Sequence, residues 1–258
     1  MTTSAVEPGT GPTPDPAGGR ALDGRVAVLT GATGALGRVV AARLAEAGAR
    51  LVLAGRDEAR LREVASDLGL TDDGWLAVTG DLDAAGSASV AKATEATFGA
   101  VHIVVHLVGG YAGGTPIAET DPTDLESMID QHVWTTFHLA RAFSEPLSRG
   151  GFGRFVAVTS PFGFNPPGRN AAYAAAKAAQ QSLVLSLAQE FRGTGATANT
   201  ILVRTIDAKR ERITAPTSAN ARWTTPEEIA ATILWLCRPD AERVNGVALP
   251  LFGGPTPG

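Results

Sequence analysis

From Arg25 onward, short runs of apolar and β-branched residues alternate with longer segments in which apolar positions recur every three or four residues. The first run, Val26–Thr30, is apolar up to its last residue, as in a strand buried on both faces; Leu36, Val39, Val40, Leu44 and Ala47 follow at helical spacing, closed by Gly48. The alternation continues with a strand at Arg50–Ala54, a helix at Asp57–Leu68, a strand at Trp75–Thr79, a helix at Ser87–Phe98 and a strand at Val101–Val108. Asp121-Pro122 pairs an N-cap acid with proline at the first helical position, which predicts a helix from Asp121 to Phe143 that stops before Pro146. A strand at Arg154–Thr159, an Ala-rich helix at Ala171–Phe191 and a strand at Ala198–Val203 come next. Thr225-Pro226-Glu227-Glu228 is a capping box that opens a helix ending at Arg238-Pro239. The last run, Val247–Leu251, carries Pro250 and is expected at a sheet edge. Strands and helices in this order predict an α/β fold, a Rossmann-like doubly wound parallel sheet in a single domain.

The 258 residues suit one large domain of this kind better than two small ones. With 22 Lys plus Arg against 26 Asp plus Glu, the net charge of -4 argues against an overall basic nucleic-acid binder and leaves small molecules as the expected partners. A single cysteine, Cys237, cannot form an internal disulfide, which fits a reducing cytoplasm. Polar residues or Gly interrupt every apolar run short of the ~20 residues that span a bilayer, so a soluble protein with no membrane partner is expected. The first 24 residues, rich in Pro, Gly and Thr, lack the basic and apolar regions of a secretion signal. They read as a flexible tail, and the catalytic domain is taken as 22–258. Within it, the polar stretch Ile206–Trp223 has weak periodicity and the length of a lid over a site.

Between the first strand and the first helix lies Thr30-Gly31-Ala32-Thr33-Gly34-Ala35-Leu36-Gly37. Small residues there allow a tight turn and let a pyrophosphate approach the N–H groups of the helix N-terminus. The flanking strand and helix favour a dinucleotide site at Gly31, Thr33, Gly34, Leu36 and Gly37 over a plain turn. After the second strand, an acid would bind the ribose 2′-OH of NAD, whereas an Arg would accommodate the 2′-phosphate of NADP. The run is Gly55-Arg56-Asp57. Asp57 sits where the next helix needs its N-cap, so NADP(H) is favoured over NAD(H), with Arg56 on the 2′-phosphate rather than a solvated surface cation.

Tyr173 and Lys177 occupy positions i and i+4 of one predicted helix and share a face. A cation beside a phenol stabilises phenolate, so the Tyr173 pKa is expected to fall towards working pH. Ser160 stands at the carboxyl end of the fifth strand, where open α/β sheets bind ligands, placed to hold a carbonyl oxygen.

With these features together, the chain resembles the short-chain dehydrogenase/reductase family from about Leu22 to Gly254. The resemblance rests on TGATGALG at 30–37, Asp81-Leu82, Ser160, YAAAK at 173–177 and NGVALPLFGG at 245–254. It implies Tyr173 as general acid/base, Lys177 tuning it and holding the nicotinamide ribose, Ser160 orienting substrate, and Asp81 with Leu82 at the adenine. It also implies a homo-oligomer, dimer or tetramer, built on the helices at 121–143 and 171–191. Gly109–Gly114 and Thr205-Ile206-Asp207 look like a bacterial branch related to dihydropteridine reductases.

The chain also departs from the family. Its Asn-Asn-Ala-Gly reads His106-Leu107-Val108-Gly109, and its helical Asn falls at His132. An imidazole at 132 either passes protons to the site or is a neutral core histidine. Pro-Gly after strand six is replaced by Val203-Arg204, and a cofactor-contacting Thr by Ala208. Ile206 is left to offer backbone hydrogen bonds to the carboxamide, and Arg204 contacts an anionic substrate or cofactor, or is a surface residue. The four histidines show no metal-binding spacing, so no metal is expected. The leading expectation is an NADP-dependent enzyme interconverting a carbonyl and an alcohol. The alternatives are a non-redox dehydratase or isomerase, or a nucleotide-binding regulator.

Overall fold

In the computed structural model, which describes residues 20–252, seven parallel strands form one sheet in the order β3-β2-β1-β4-β5-β6-β7. The strands are β1 (Val26–Thr30), β2 (Arg50–Gly55), β3 (Trp75–Thr79), β4 (Ile103–His106), β5 (Gly153–Thr159), β6 (Ala196–Leu202) and β7 (Ala248–Pro250). The order reverses between β1 and β4, and the crevice at the carboxyl ends of these two strands is where such sheets bind ligands. Residues alternate between two cores: Ala27 and Leu29 of β1 face one, Val26 and Val28 the other. This is why the strands read as continuous apolar runs.

Helices α1 (Ala35–Glu46), α2 (Glu58–Asp67) and α8 (Pro226–Cys237) cover the first core through residues such as Leu44, Leu61 and Ile233. Helices α3 (Ala84–Phe98), α5 (Thr135–Arg149) and α6 (Ala171–Glu190) cover the second through Val90, Phe143 and Val184. A short α4 (Pro122–Met128) precedes α5, and a one-turn α7 (Glu211–Thr214) lies between β6 and α8. The capping box at Thr225 and Glu228 is formed, and β7 lies at the sheet edge. Among the described residues no helix is long and apolar enough to cross a membrane.

Several details differ from the sequence reading. Leu22 is completely buried and its N–H donates to the Ala47 carbonyl at 2.8 Å, so the segment from Arg20 belongs to the domain; residues 1–19 of the expected tail lie outside the described residues. Strand β4 stops at His106, because Leu107 and Val108 turn away to line the crevice. The helix expected to end before Pro146 runs through it to Arg149. Burial of Leu139, Phe143 and Leu147 against the sheet holds this segment helical despite the lost N–H donor. Finally, Ile129–Trp134, between α4 and α5, is a π-turn with one extra residue, a feature that hydrophobic periodicity does not reveal.

Close approach of α1 to the loop that follows β1 depends on Gly37, where a Cβ would lie 2.1 Å from the Gly31 oxygen and 2.7 Å from the Ala32 Cα. Gly37→Ala is therefore expected to lower the unfolding free energy in urea by about 1–3 kcal/mol. Gly34→Ala, whose Cβ would meet nothing nearer than 3.5 Å, changes it much less.

Candidate active site

The loop between β1 and α1 turns at Gly31, whose φ of +76° lies in the region that glycine adopts without strain. Gly34 is the N-cap of α1 and supplies no side-chain acceptor, whereas Asp57, Asp83, Asp121 and Thr225 cap α2, α3, α4 and α8. The first turn of α1 thus presents N–H groups and the positive helix end to an anion, without a competing carboxylate. A cleft of about 800 Å³ opens beside it, and Gly31, Thr33, Gly34, Arg56, Asp81 and Leu82 share its lining. Leu36 and Gly37 instead lie beneath the loop, Leu36 packed in the first core. The Asp57 carboxylate accepts the Arg60 N–H at 3.2 Å as a helix cap. Arg56 is exposed on the cleft wall with no carboxylate at ion-pair distance among the described residues. An uncapped helix end, a glycine turn and a cleft of this size fit a dinucleotide.

Ser160 follows β5 and is completely buried; its hydroxyl accepts the Phe162 N–H at 3.3 Å and lies near enough to the Tyr173 phenol to favour its ionised form. Lys177, one turn further along α6, is buried as well, and its ammonium donates to Gln180 Oε1 at 2.9 Å and to the Val158 carbonyl at 3.2 Å. The ammonium stands 5.7 Å from the centre of the Tyr173 ring. This corrects the expectation of a lowered Tyr173 pKa: burial raises it, and the nearby Ser160 hydroxyl only partly offsets that burial. Burial brings Lys177 itself down to about 7.

The π-turn places His132 against the same phenol, with ring centres 5.6 Å apart and edge-on. Its Nε2–H donates to the Gly110 carbonyl at 2.9 Å, while Nδ1 is buried without a partner. Gly109 makes room for the ring: a Cβ there would lie 2.3 Å from His132 Cε1. Thr136, which donates to the His132 carbonyl at 2.6 Å, accepts from Gln180 Nε2 at 3.1 Å. A directional chain thus links Lys177 through Gln180 and Thr136 to the π-turn. Sequence reasoning missed Gln180, although its position three residues after Lys177 places both on one helix face.

His106 ties the glycine loop to the start of α5. Thr135 spends its hydroxyl hydrogen on the Gln131 carbonyl at 2.7 Å, so His106 Nε2–H donates to Thr135 Oγ1 at 3.3 Å and Nδ1 accepts from the Thr30 hydroxyl at 2.8 Å. Tyr111 and Phe162 also meet the Tyr173 ring edge-on, at 5.1 and 6.1 Å. Ile206 is part-exposed and pairs with Thr224 at the start of the segment leading to α7, and Arg204 is exposed.

Burial, with Lys177 adding repulsion, brings His106 and His132 down from 6.5 to about 3, so both rings are neutral at pH 7. The unfolded chain therefore binds more protons than the folded one as pH falls below 6.5, and stability present above that value is lost progressively towards pH 3. In His106→Asn this loss should shrink by close to one proton, about 1.4 kcal/mol per pH unit. Urea denaturation at several pH values between neutrality and the acid limb checks it; a slope equal to that of the unsubstituted protein would contradict a buried neutral imidazole.

Comparison with known proteins agrees with this architecture. The family model described as short chain dehydrogenase matches residues 25–216. The 2,3-dihydroxy-2,3-dihydro-p-cumate dehydrogenase of Pseudomonas putida is 29% identical over 248 residues, covering 91% of this chain and 95% of that protein. The (2S)-[(R)-hydroxy(phenyl)methyl]succinyl-CoA dehydrogenase subunit BbsC of Thauera aromatica is 30% identical over 239 residues, covering 90% and 94%. Among solved structures, the NADPH-bound short chain oxidoreductase of Pseudomonas aeruginosa PAO1 with an atypical catalytic center superposes with a TM-score of 0.78 at 28% identity, covering 90% of this chain and 96% of that one. With its parallel sheet, glycine loop and Ser160, Tyr173 and Lys177 in place, the chain belongs to the short-chain dehydrogenase/reductase family and is an NAD(P)-dependent oxidoreductase.

Proposed function

We propose that this oxidoreductase uses NADP(H) to interconvert a carbonyl and an alcohol on a small organic substrate with an apolar or aromatic group beside the reacting carbon. The observation that carries the reading is the Tyr173 phenol beside the buried Ser160, with Lys177 buried one helical turn away. The loop Leu107–Gly109 joins this group to the glycine-loop cleft, since it lines the cleft and packs under His132. A nicotinamide bound there supplies or accepts hydride.

Tyr173 passes the proton to or from the substrate oxygen, and Ser160 holds that oxygen in line. Swung from Val158 and Gln180 towards the phenol, the Lys177 ammonium offsets the burial that raises Tyr173. A lysine pKa of about 7 also lets Lys177 exchange its proton near neutrality. His132 acts as a positioning residue: a neutral ring whose Nε2–H holds Gly110 and whose edge fixes the Tyr173 ring supports this role over that of a proton carrier.

Three rings around Tyr173 support an apolar or aromatic substrate. The Thauera relative's name, with its hydroxy(phenyl)methyl group, points the same way. Segment 206–223 is assigned as the lid. Asp207 caps its short helix α7, ion pairs Arg210–Glu227 and Arg212–Glu228 hinge it on α8, and Ile206 and Ile213 expose apolar surface. The working form is assigned as a cytoplasmic homo-oligomer, dimer or tetramer, supported by exposed Leu125 and Phe137 on α4 and α5.

Tyr173→Phe should lower kcat/KM for carbonyl reduction by about 10²- to 10⁴-fold while NADPH still binds. A variant that turns over normally would remove Tyr173 from the mechanism. Arg56→Ala should weaken NADPH by about tenfold and leave NADH unchanged; equal effects on the two nucleotides in calorimetric titration would reject Arg56 as the 2′-phosphate contact.

A further inference from the structure

The cleft that Arg56, Asp81 and Leu82 line is also lined by the π-turn and the first turn of α5, through Gln131, Trp134, Thr135 and His138. These positions form one helix stripe, spaced i, i+3, i+4 and i+7. Trp134 is 50% exposed there, a large apolar ring left open at a cleft otherwise lined largely by small and polar residues. It is nevertheless held in place: its indole stacks on the His138 imidazole at 5.5 Å and 18°, and Phe137 meets both rings edge-on, at 6.0 and 5.7 Å. A half-exposed indole braced by two other rings presents a flat face whose ordering cost is already met by the fold.

We propose that the Trp134–His138 pair is the stacking platform for the adenine ring and thereby a determinant of nucleotide affinity, an inference that rests on the nucleotide reading of the cleft. The diphosphate would sit at the uncapped N-terminus of α1, so the adenosine half would extend along the cleft whose lining Arg56, Asp81, Leu82 and Trp134 share. The hydride-transferring half would extend towards Tyr173, which does not share the lining of the cleft with Trp134. The π-turn is part of the device, because its extra residue sets the rotation of every α5 side chain that follows.

The test is calorimetric binding of NADPH, NADH and reduced nicotinamide mononucleotide, which lacks the adenosine half, to the full chain and to Trp134→Ala and Trp134→Phe. Trp134→Ala should weaken both dinucleotides by about 5- to 30-fold, Trp134→Phe should retain most of the affinity, and the mononucleotide should bind all three proteins alike. Unchanged dinucleotide affinity in Trp134→Ala overturns the proposal, as does an equal loss for the mononucleotide. A change in oligomer mass without a change in dinucleotide affinity would reassign the indole to an interface between copies and also overturn it. Failure of the unsubstituted chain to bind any of the three nucleotides would overturn the nucleotide reading itself, and the platform with it.

Discussion

Both faces of the seven-stranded sheet are apolar, so helices must cover both, and the rest of the molecule follows from that requirement. With the faces closed, the chemistry is confined to the carboxyl ends of the strands, where the chain leaves the sheet to enter a helix. The reversal of strand order between β1 and β4 separates two of these connections and opens the cleft. Gly31 lets the loop after β1 lie against Leu107 and Val108, and Gly37 lets α1 sit close against that loop, so that the helix N-terminus faces the cleft.

The same closure makes the polar groups at its centre costly to leave unpaired. Lys177 is buried with no carboxylate partner among the described residues, its ammonium is held by a carbonyl and an amide oxygen, and burial brings its pKa down to about 7. The two nearby histidines respond in the same sense and stay neutral, each fixed by hydrogen bonds that define its tautomer. Where the family pattern has asparagines, this chain uses imidazoles to brace loops: His106 spans from the glycine loop to α5, and His132 holds the loop at Gly110.

The π-turn connects these features. Its extra residue brings His132 to the edge of Tyr173 and leaves carbonyls that Thr135 and Thr136 satisfy through their hydroxyls. Thr136 continues to Gln180 and Lys177, so the pitch of one helix is coupled to the position of the ammonium on another. The cleft beside the glycine loop and the Tyr173 group are thereby built from shared elements.

Much of this was legible in the amino-acid sequence, because period and composition are local. Apolar runs set the strands, the glycine loop announced its turn, Asp57 announced itself as a helix cap, and Tyr173 and Lys177 at i and i+4 had to share a face. Properties that depend on packing between distant segments were not. Leu147 keeps α5 helical beyond Pro146 by burial against the sheet, and the π-turn has no periodic signature. The Tyr173 pKa rises rather than falls because the packed segments around it desolvate the phenolate. The sequence by itself determined the order of elements and the side chains available for chemistry. Tertiary structure decided their protonation and orientation, since desolvation and hydrogen-bond partners exist only once segments far apart in the chain have closed around them.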